Sequence, residues 1–241
     1  MASTKIEWTE KVWNPVTGCS KVSQGCKNCY AENFANRFWK ERNFTDVICH
    51  EDRINIPIQW KKPARIFVNS MSDLFHPSVP FEFVNRVFAS MYLNWQHKFI
   101  ILTKRPLRML EYFNYEHRAI EIAKEVMALD QWMHIELPLK NVWLGVSVED
   151  QQTADERIPL LLKTPAAVRF ISAEPLLTGI DVKKFMAPIP WEVNLDWVIA
   201  GGESGSKARA CHPDWVISLR DQCKEAGVPF FFKQWGEWAD Q

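Results

Sequence analysis

The chain has no net charge, with 29 Lys and Arg set against 29 Asp and Glu in 241 residues. This balance excludes a global field strong enough to hold nucleic acid by charge alone, although a locally basic cleft fits inside a neutral total. No stretch comes near the roughly eighteen consecutive apolar residues that mark a membrane span. The opening MASTKIEWTEKVW likewise has no apolar core of a signal peptide. A cytoplasmic protein without a membrane partner is therefore expected. Six cysteines are too few and too unevenly placed for a disulfide scaffold, and in a reducing compartment a cluster of them points to metal binding or catalysis. Linkers, low-complexity tracts and repeats are also missing, so a single domain over residues 1–241 is expected, with 47% hydrophobic residues to fill one core.

What is present is an alternation of short apolar runs with longer helical stretches. The runs are RIFVNS from Arg65, KFIILT from Lys98, NVWLGVSV from Asn141, AVRFISA from Ala167, LDWVIAG from Leu195 and PFFFKQ from Pro229. They are continuously apolar, as strands buried on both faces of a parallel sheet are. A short extra strand is expected from Lys11. Helices are expected over Tyr30 to Arg42, Pro80 to Trp95, Pro106 to Leu129, Gln151 to Leu162 and Pro213 to Ala226. Pro80, Pro106 and Pro213 suit helix starts, and Gly227 followed by Pro229 suits a helix stop. Repeated βα units of this size predict an α/β fold, a partial (βα)6-type barrel of parallel strands, with a doubly wound sheet as the alternative.

Nearly every run ends in polar residues. RIFVNS, which ends in Ser70, leads into Met71, Ser72 and Asp73, KFIILT into Lys104 and Arg105, and NVWLGVSV carries Ser147 and leads into Glu149 and Asp150. AVRFISA leads into Glu174, LDWVIAG into Gly202 and Glu203, and PFFF into Lys233 and Trp235. Ligands of α/β sheets bind at the carboxyl ends of the strands, so these residues are expected at one mouth. Each also has a plainer reading. Ser72 and Asp73 suit a turn, Glu149 and Asp150 suit a helix start, and Lys104 and Arg105 suit a solvated loop.

Cys19, Cys26 and Cys29 lie within the eleven residues from Cys19 to Cys29 of GCSKVSQGCKNCYAE. Two of them form a C-x-x-C, the spacing of sulfurs that share one metal or one iron-sulfur cluster. The set therefore admits two metals. A structural zinc would need a fourth ligand, for which Cys49, His50, Cys211 and His212 are candidates, but none of these makes a second C-x-x-C. A [4Fe-4S] cluster held at three irons would leave the fourth iron open to a small molecule.

GCSKVSQGCKNCYAE, followed in order by SMSDLFHP, LTKRP, GVSVED, SAEPLL, AGGESG and FFKQWGEW, resembles a phage-associated family marked by a three-cysteine motif. That family is similar in turn to radical S-adenosylmethionine enzymes, above all the spore photoproduct lyase branch. The likeness to the phage family covers almost the whole chain. The general radical-enzyme motif, C-x-x-x-C-x-x-C, departs from this one: six residues separate Cys19 from Cys26, and Asn28 stands before the last cysteine where an aromatic residue is common.

The resemblance implies that Cys19, Cys26 and Cys29 ligate a [4Fe-4S] cluster whose open iron takes S-adenosyl-L-methionine. It implies that Ser70, Ser72 and Asp73 meet the methionine amino group, Lys104 its carboxylate, and Ser147 and Glu149 the ribose. Glu174, Glu203 and Lys233 are then left for the substrate as catalytic candidates. The implied chemistry is reductive cleavage to a 5'-deoxyadenosyl radical that takes a hydrogen from a nucleobase, for example in isomerising an amino-acid-modified thymidine. Its partners would be a reductant protein and DNA carrying a modified pyrimidine, in the host cytoplasm if the protein is phage-encoded. The competing functions are a zinc-stabilised binding module and a radical enzyme acting on a peptide or metabolite.

Overall fold

In the computed structural model, residues 6–127, 135–186 and 193–237 are described. The elements in order are β1 (Lys11–Trp13), β2 (Val16–Thr17), α1 (Tyr30–Phe38), β3 (Ile48–Cys49), β4 (Arg65–Val68), α2 (Phe81–Leu93), β5 (Lys98–Thr103), α3 (Pro106–Asn114), α4 (Arg118–Met127), β6 (Val142–Ser147), α5 (Gln151–Lys163), β7 (Val168–Ala173), β8 (Trp197–Gly201), α6 (Pro213–Ala226) and β9 (Phe230–Gln234). Seven strands form one parallel sheet in the order β1-β4-β5-β6-β7-β8-β9. Each strand is added beside the last with no reversal, so the sheet curls into a half-barrel flanked by helices. A doubly wound sheet would reverse its order at a switch point, and this one does not.

Alternation along the strands separates two cores. Ile66, Val68, Phe99, Ile101, Leu144, Val146, Ile171 and Val198 point outward into the layer shared with α2, α5 and α6. Phe67, Ile100, Phe170 and Ile199 point inward and, with Trp8, form an apolar plug. Gly145 makes room for it: a Cβ there would lie 2.4 Å from the Phe170 ring. Further along β6, β7 and β8 the inward positions become small or polar, at Ser147, Ser172 and Gly201, while β5 keeps Leu102 against the plug. Ser147 and Ser172 are buried. The concave side is therefore packed at its N-terminal end and polar at its C-terminal end.

One expected helix is two. The stretch from Pro106 breaks after Asn114 and resumes at Arg118, and Leu129 lies outside the described residues. The cause is Arg118, a buried cation whose Nε donates to the Tyr112 carbonyl at 2.8 Å and whose Nη1 donates to Asn85 Oδ1 at 2.9 Å. That side chain satisfies a carbonyl at the end of α3, which lets the chain turn. Helix α1 is also shorter than expected, ending at Phe38, with Trp39 already extended. Helix α5 starts on a reciprocal capping box between Asp150 and Thr153, and α6 ends on Gly227 at φ 70°.

Candidate metal centre at the mouth of the half-barrel

The cysteine loop is laid along the C-terminal end of β4. Asn14 Oδ1 accepts from the Met71 N–H and the Ser70 hydroxyl, both at 3.2 Å, and the Ser72 hydroxyl donates to the Val16 carbonyl at 2.8 Å. Gly18 pairs with Ser72 and turns at φ +90°, where a Cβ would lie 2.2 Å from the Asp46 carbonyl oxygen. The loop then runs through Cys19 to a short 3-10 turn at Gln24–Cys26, and Cys29 precedes the first turn of α1. Ala31 and Ala35 pack this helix back against Cys19, Cys29 and Met71.

Three carboxylates, 5%, 0% and 5% exposed, fix the loop from the ends of different strands: Asp73, Glu149 and Glu203. Asp73 follows β4. It accepts from the Thr103 hydroxyl, the Phe75 and Lys104 N–H groups, and Arg105 Nη1 at 2.9 Å. Arg105 carries the contact onward, with Nη1 3.6 Å from Cys19 Sγ and Nη2 donating to the Ser20 carbonyl at 2.9 Å. His76 holds the same serine at 2.8 Å. Its Nδ1 accepts from the Ser78 N–H, so the ring proton sits on Nε2 and is donated to Ser20 Oγ. Burial and the nearby Arg105 both lower the pKa of that imidazole.

Glu149, just past β6, is the central anchor. Arg157 Nη1 lies 3.2 Å from both carboxylate oxygens, Lys104 Nζ lies 3.3 Å from Oε1, and the Ser23 hydroxyl donates to Oε1 at 3.1 Å. Gly25 rests directly on this side chain, since a Cβ there would lie 2.3 Å from Glu149 Cγ. The third anchor is Glu203, past β8. Arg209 donates to it through Nε at 2.9 Å and Nη2 at 2.6 Å, and Asn28, inside the C-x-x-C, donates at 2.9 Å. Arg209 also reaches the Gln24 carbonyl at 3.0 Å. Burial alone would raise the Glu203 pKa, but the donors from Arg209 and Asn28 outweigh it and the carboxyl titrates below its ordinary range.

The thiols themselves are less engaged. Cys19 has the Arg105 contact and a weak one of 3.5 Å to the Ser20 carbonyl. Burial first, and then the Asp73 carboxylate, push its pKa up to about 11, with Arg105 opposing and Cys26 adding a small rise. Inward of the loop, Lys233 Nζ and Glu174 Oε1 form an ion pair at 2.5 Å. A Cβ at Gly201 would lie 3.5 Å from both side chains, so the missing side chain of Gly201 leaves the space beside them open. The Tyr30 hydroxyl spans from the loop to the Ser70 carbonyl at 2.5 Å, and Trp235 packs on Phe232 with ring centroids 4.5 Å apart and planes tilted by 57°.

The expected site residues thus divide by what they touch. Glu149 and Glu203 bond the cysteine loop directly and Asp73 acts on it through Arg105, Lys104 pairs with Glu149, Ser70 and Ser72 align the loop's entry, and Ser147 gives its carbonyl to Arg157 at 2.8 Å. Glu174 and Lys233 form a separate pair. The solvated-loop reading of Lys104 and Arg105 does not hold, since the two side chains are 20% and 10% exposed and each is paired with a buried carboxylate. The zinc candidates lie in other contacts: His50 Nε2 bonds the Thr17 hydroxyl at 2.7 Å, His212 caps α6, and Cys211 is buried. Among the described residues, no three His, Cys, Asp or Glu side chains converge closely enough to hold one ion.

Sequence reasoning placed Arg105 at the mouth without a partner, and missed Arg157, Arg209, Asn28, His76 and Ser23. Arg157 left a readable trace, because it falls on the buried face of α5 with Ala154, Ile158 and Leu161. A cation on an apolar helix face needs a buried partner. Asn28 and Arg209 left no such trace, since Asn28 meets Glu203 across 175 positions.

A family model described as a protein of unknown function, DUF5131, matches residues 3–241. The chain belongs to that family. No curated protein and no solved structure matches it. The three-cysteine loop and the carboxylates that fix it therefore lie within a domain shared by this family.

Proposed function

We propose that this chain is a radical S-adenosylmethionine enzyme in which Cys19, Cys26 and Cys29 hold a [4Fe-4S] cluster. One observation carries the reading: a loop with three thiols is pinned at the C-terminal mouth of a parallel half-barrel by Asp73, Glu149 and Glu203, each past the end of a different strand. The donor set fits such a cluster. A single zinc ion, with sulfurs about 2.3 Å from the metal, needs its thiolates and a fourth ligand gathered about one point, and no three His, Cys, Asp or Glu side chains gather so among the described residues. A cubane spreads its thiolates over separate irons and tolerates a missing fourth. Thiolates are the soft ligands that iron-sulfur clusters require.

When bound, the cluster and S-adenosylmethionine supply one-electron reduction and a 5'-deoxyadenosyl radical, with electrons from a reductant protein. The chain's own residues do the placing. Lys104, 20% exposed with its ammonium held by Glu149, would pair with the cofactor carboxylate as a point charge. Ser70, Ser72 and Asp73, just past β4, would meet the amino group, and Ser147, at the end of β6, the ribose. Glu174 and Lys233, with Glu203, would meet the substrate, and Phe170 over Gly145 closes the floor against water from below. The substrate class proposed is a nucleobase in DNA, for instance an amino-acid-modified thymidine that the enzyme isomerises, and the place of action is the cytoplasm.

The test is a turnover assay on cluster-loaded protein with dithionite, S-adenosylmethionine and DNA carrying a modified pyrimidine. 5'-Deoxyadenosine is expected, with at least a ten-fold loss for Lys104→Ala. Loaded protein that releases none in the presence of reductant and substrate would overturn the proposal.

A further inference from the structure

The helix that leaves the cysteine loop presents its larger apolar residues outward. Ala31 and Ala35 face the protein, packed on Cys19, Cys29 and Met71, while Tyr30, Phe34 and Phe38 are spaced one turn apart and stand 53%, 49% and 55% exposed. Burying a phenylalanine is worth about 1.5–3 kcal/mol, so a helix serving only to pack would place these rings beneath it. The rings of Phe34 and Phe38 lie 4.5 Å apart between centroids. At the near end of the stripe, the Tyr30 hydroxyl reaches into the mouth at Ser70.

The charge around the stripe has one sign in excess. Between Lys21 and Arg42 there are five cations, Lys21, Lys27, Arg37, Lys40 and Arg42, and two acids, Glu32 and Glu41, a net of +3 in a chain whose total is zero. Lys21 is neutralised by Glu32 at 2.8 Å, and Arg42 is drawn inward over Trp39 and onto Thr17. Lys27, Arg37 and Lys40 remain exposed and enter no ion pair among the described residues. The guanidinium of Arg37 stands 5.2 Å from the Phe38 ring centroid.

We infer that α1 is a binding platform for a single-stranded nucleic acid, whose bases stack on Phe34 and Phe38 and whose phosphates meet Lys27, Arg37 and Lys40. Rings that any base can stack on, interleaved with unpaired cations, are what sequence-tolerant single-strand recognition requires. The first residue of the stripe leads into the mouth, so the platform delivers an unstacked base toward Glu174 and Lys233. The inference deepens the nucleobase part of the proposed function, while the binding itself does not depend on the cluster.

Fluorescence anisotropy with a labelled oligothymidylate of about 16 nucleotides tests it on the full chain, with iron content measured on the same samples. Phe34→Ala and Phe38→Ala should each weaken binding at least about five-fold, while Phe34→Trp, which keeps a stacking face, should retain it. Arg37→Gln and Lys40→Gln should each lower the slope of log affinity against log salt by about 0.7. Wild-type protein that does not bind the oligonucleotide would overturn the inference, as would binding unmoved by both ring removals. It would also fall if the two rings governed self-association in sedimentation, or attachment to anionic vesicles, and not oligonucleotide affinity. Protein that takes no iron but binds through the two rings would sink the cluster reading alone, and iron-loaded protein indifferent to them would sink this inference alone.

Discussion

At the N-terminal end of the half-barrel the inward positions carry Trp8, Phe67, Ile100, Phe170 and Ile199, large side chains packed on each other and on apolar neighbours. At the C-terminal end the inward positions are Ser147, Ser172 and Gly201, ringed by Asp73, Glu149 and Glu203 with their cations. The base is held by contacts that are cheap to form and indifferent to direction. The mouth is held by buried charges whose desolvation is costly and whose geometry must be met on both sides. A fold that needed only stability would repeat the base at both ends. The mouth gives up some of that stability to hold one loop in one place, and the loop carries the three thiols.

Substitutions at the two ends should therefore separate stability from loop position. The largest effect is expected for Glu149→Ala, which strands Arg157, 8% exposed, without its carboxylate. It should cost about 3–5 kcal/mol in urea unfolding and also speed alkylation of Cys19 and Cys26, because Ser23 and Gly25 lose their support. Phe170→Ala at the base should cost a comparable amount, about 3–5 kcal/mol, with alkylation of the folded protein unchanged. If both variants speed alkylation equally, the mouth has no special hold on the loop.

A matched pair of glycines sharpens the comparison. A Cβ at Gly25 meets Glu149 at 2.3 Å, and one at Gly145 meets the Phe170 ring at 2.4 Å. Each alanine substitution should cost about 1–3 kcal/mol, but only Gly25→Ala should lower iron retention, measured after anaerobic loading and desalting. The smallest effect is expected at the edge of the base, where Glu10 and Arg65 pair at 2.6 Å with both side chains 49% exposed. Glu10→Gln should change stability by less than about 1 kcal/mol. The Arg65 hydrogen bond lowers the Glu10 pKa, so the wild-type advantage should be present at neutral pH and vanish as pH falls through that lowered value.

The scaffold was readable because its signals are local. Continuous apolar runs such as KFIILT mark strands buried on both faces, and Gly227 marks a helix stop wherever it stands. The polar residues after those runs were readable as a group for the same reason. Their partners were not. Asp73 could be placed at a strand end, but nothing in the spacing pairs it with Arg105, and Glu149 reaches Ser23 across 126 positions. The break after Asn114 depends on where Arg118 finds its acceptors, Tyr112 in α3 and Asn85 in α2, both in helices other than its own. Periodicity reports which face of an element is buried, while the choice of ionic partner is made only when elements from distant parts of the chain meet.

The central claim is that the thiols at the mouth hold an iron-sulfur cluster with one open iron. Anaerobic reconstitution of the wild type and Cys26→Ala, with iron counting and electron paramagnetic resonance of the reduced state before and after S-adenosylmethionine is added, tests it most directly. The account predicts about four irons per wild-type chain, a reduced signal that shifts when S-adenosylmethionine binds, and loss of both in Cys26→Ala. A wild-type protein that binds zinc and no iron, or a cluster signal that S-adenosylmethionine leaves unmoved, would contradict it.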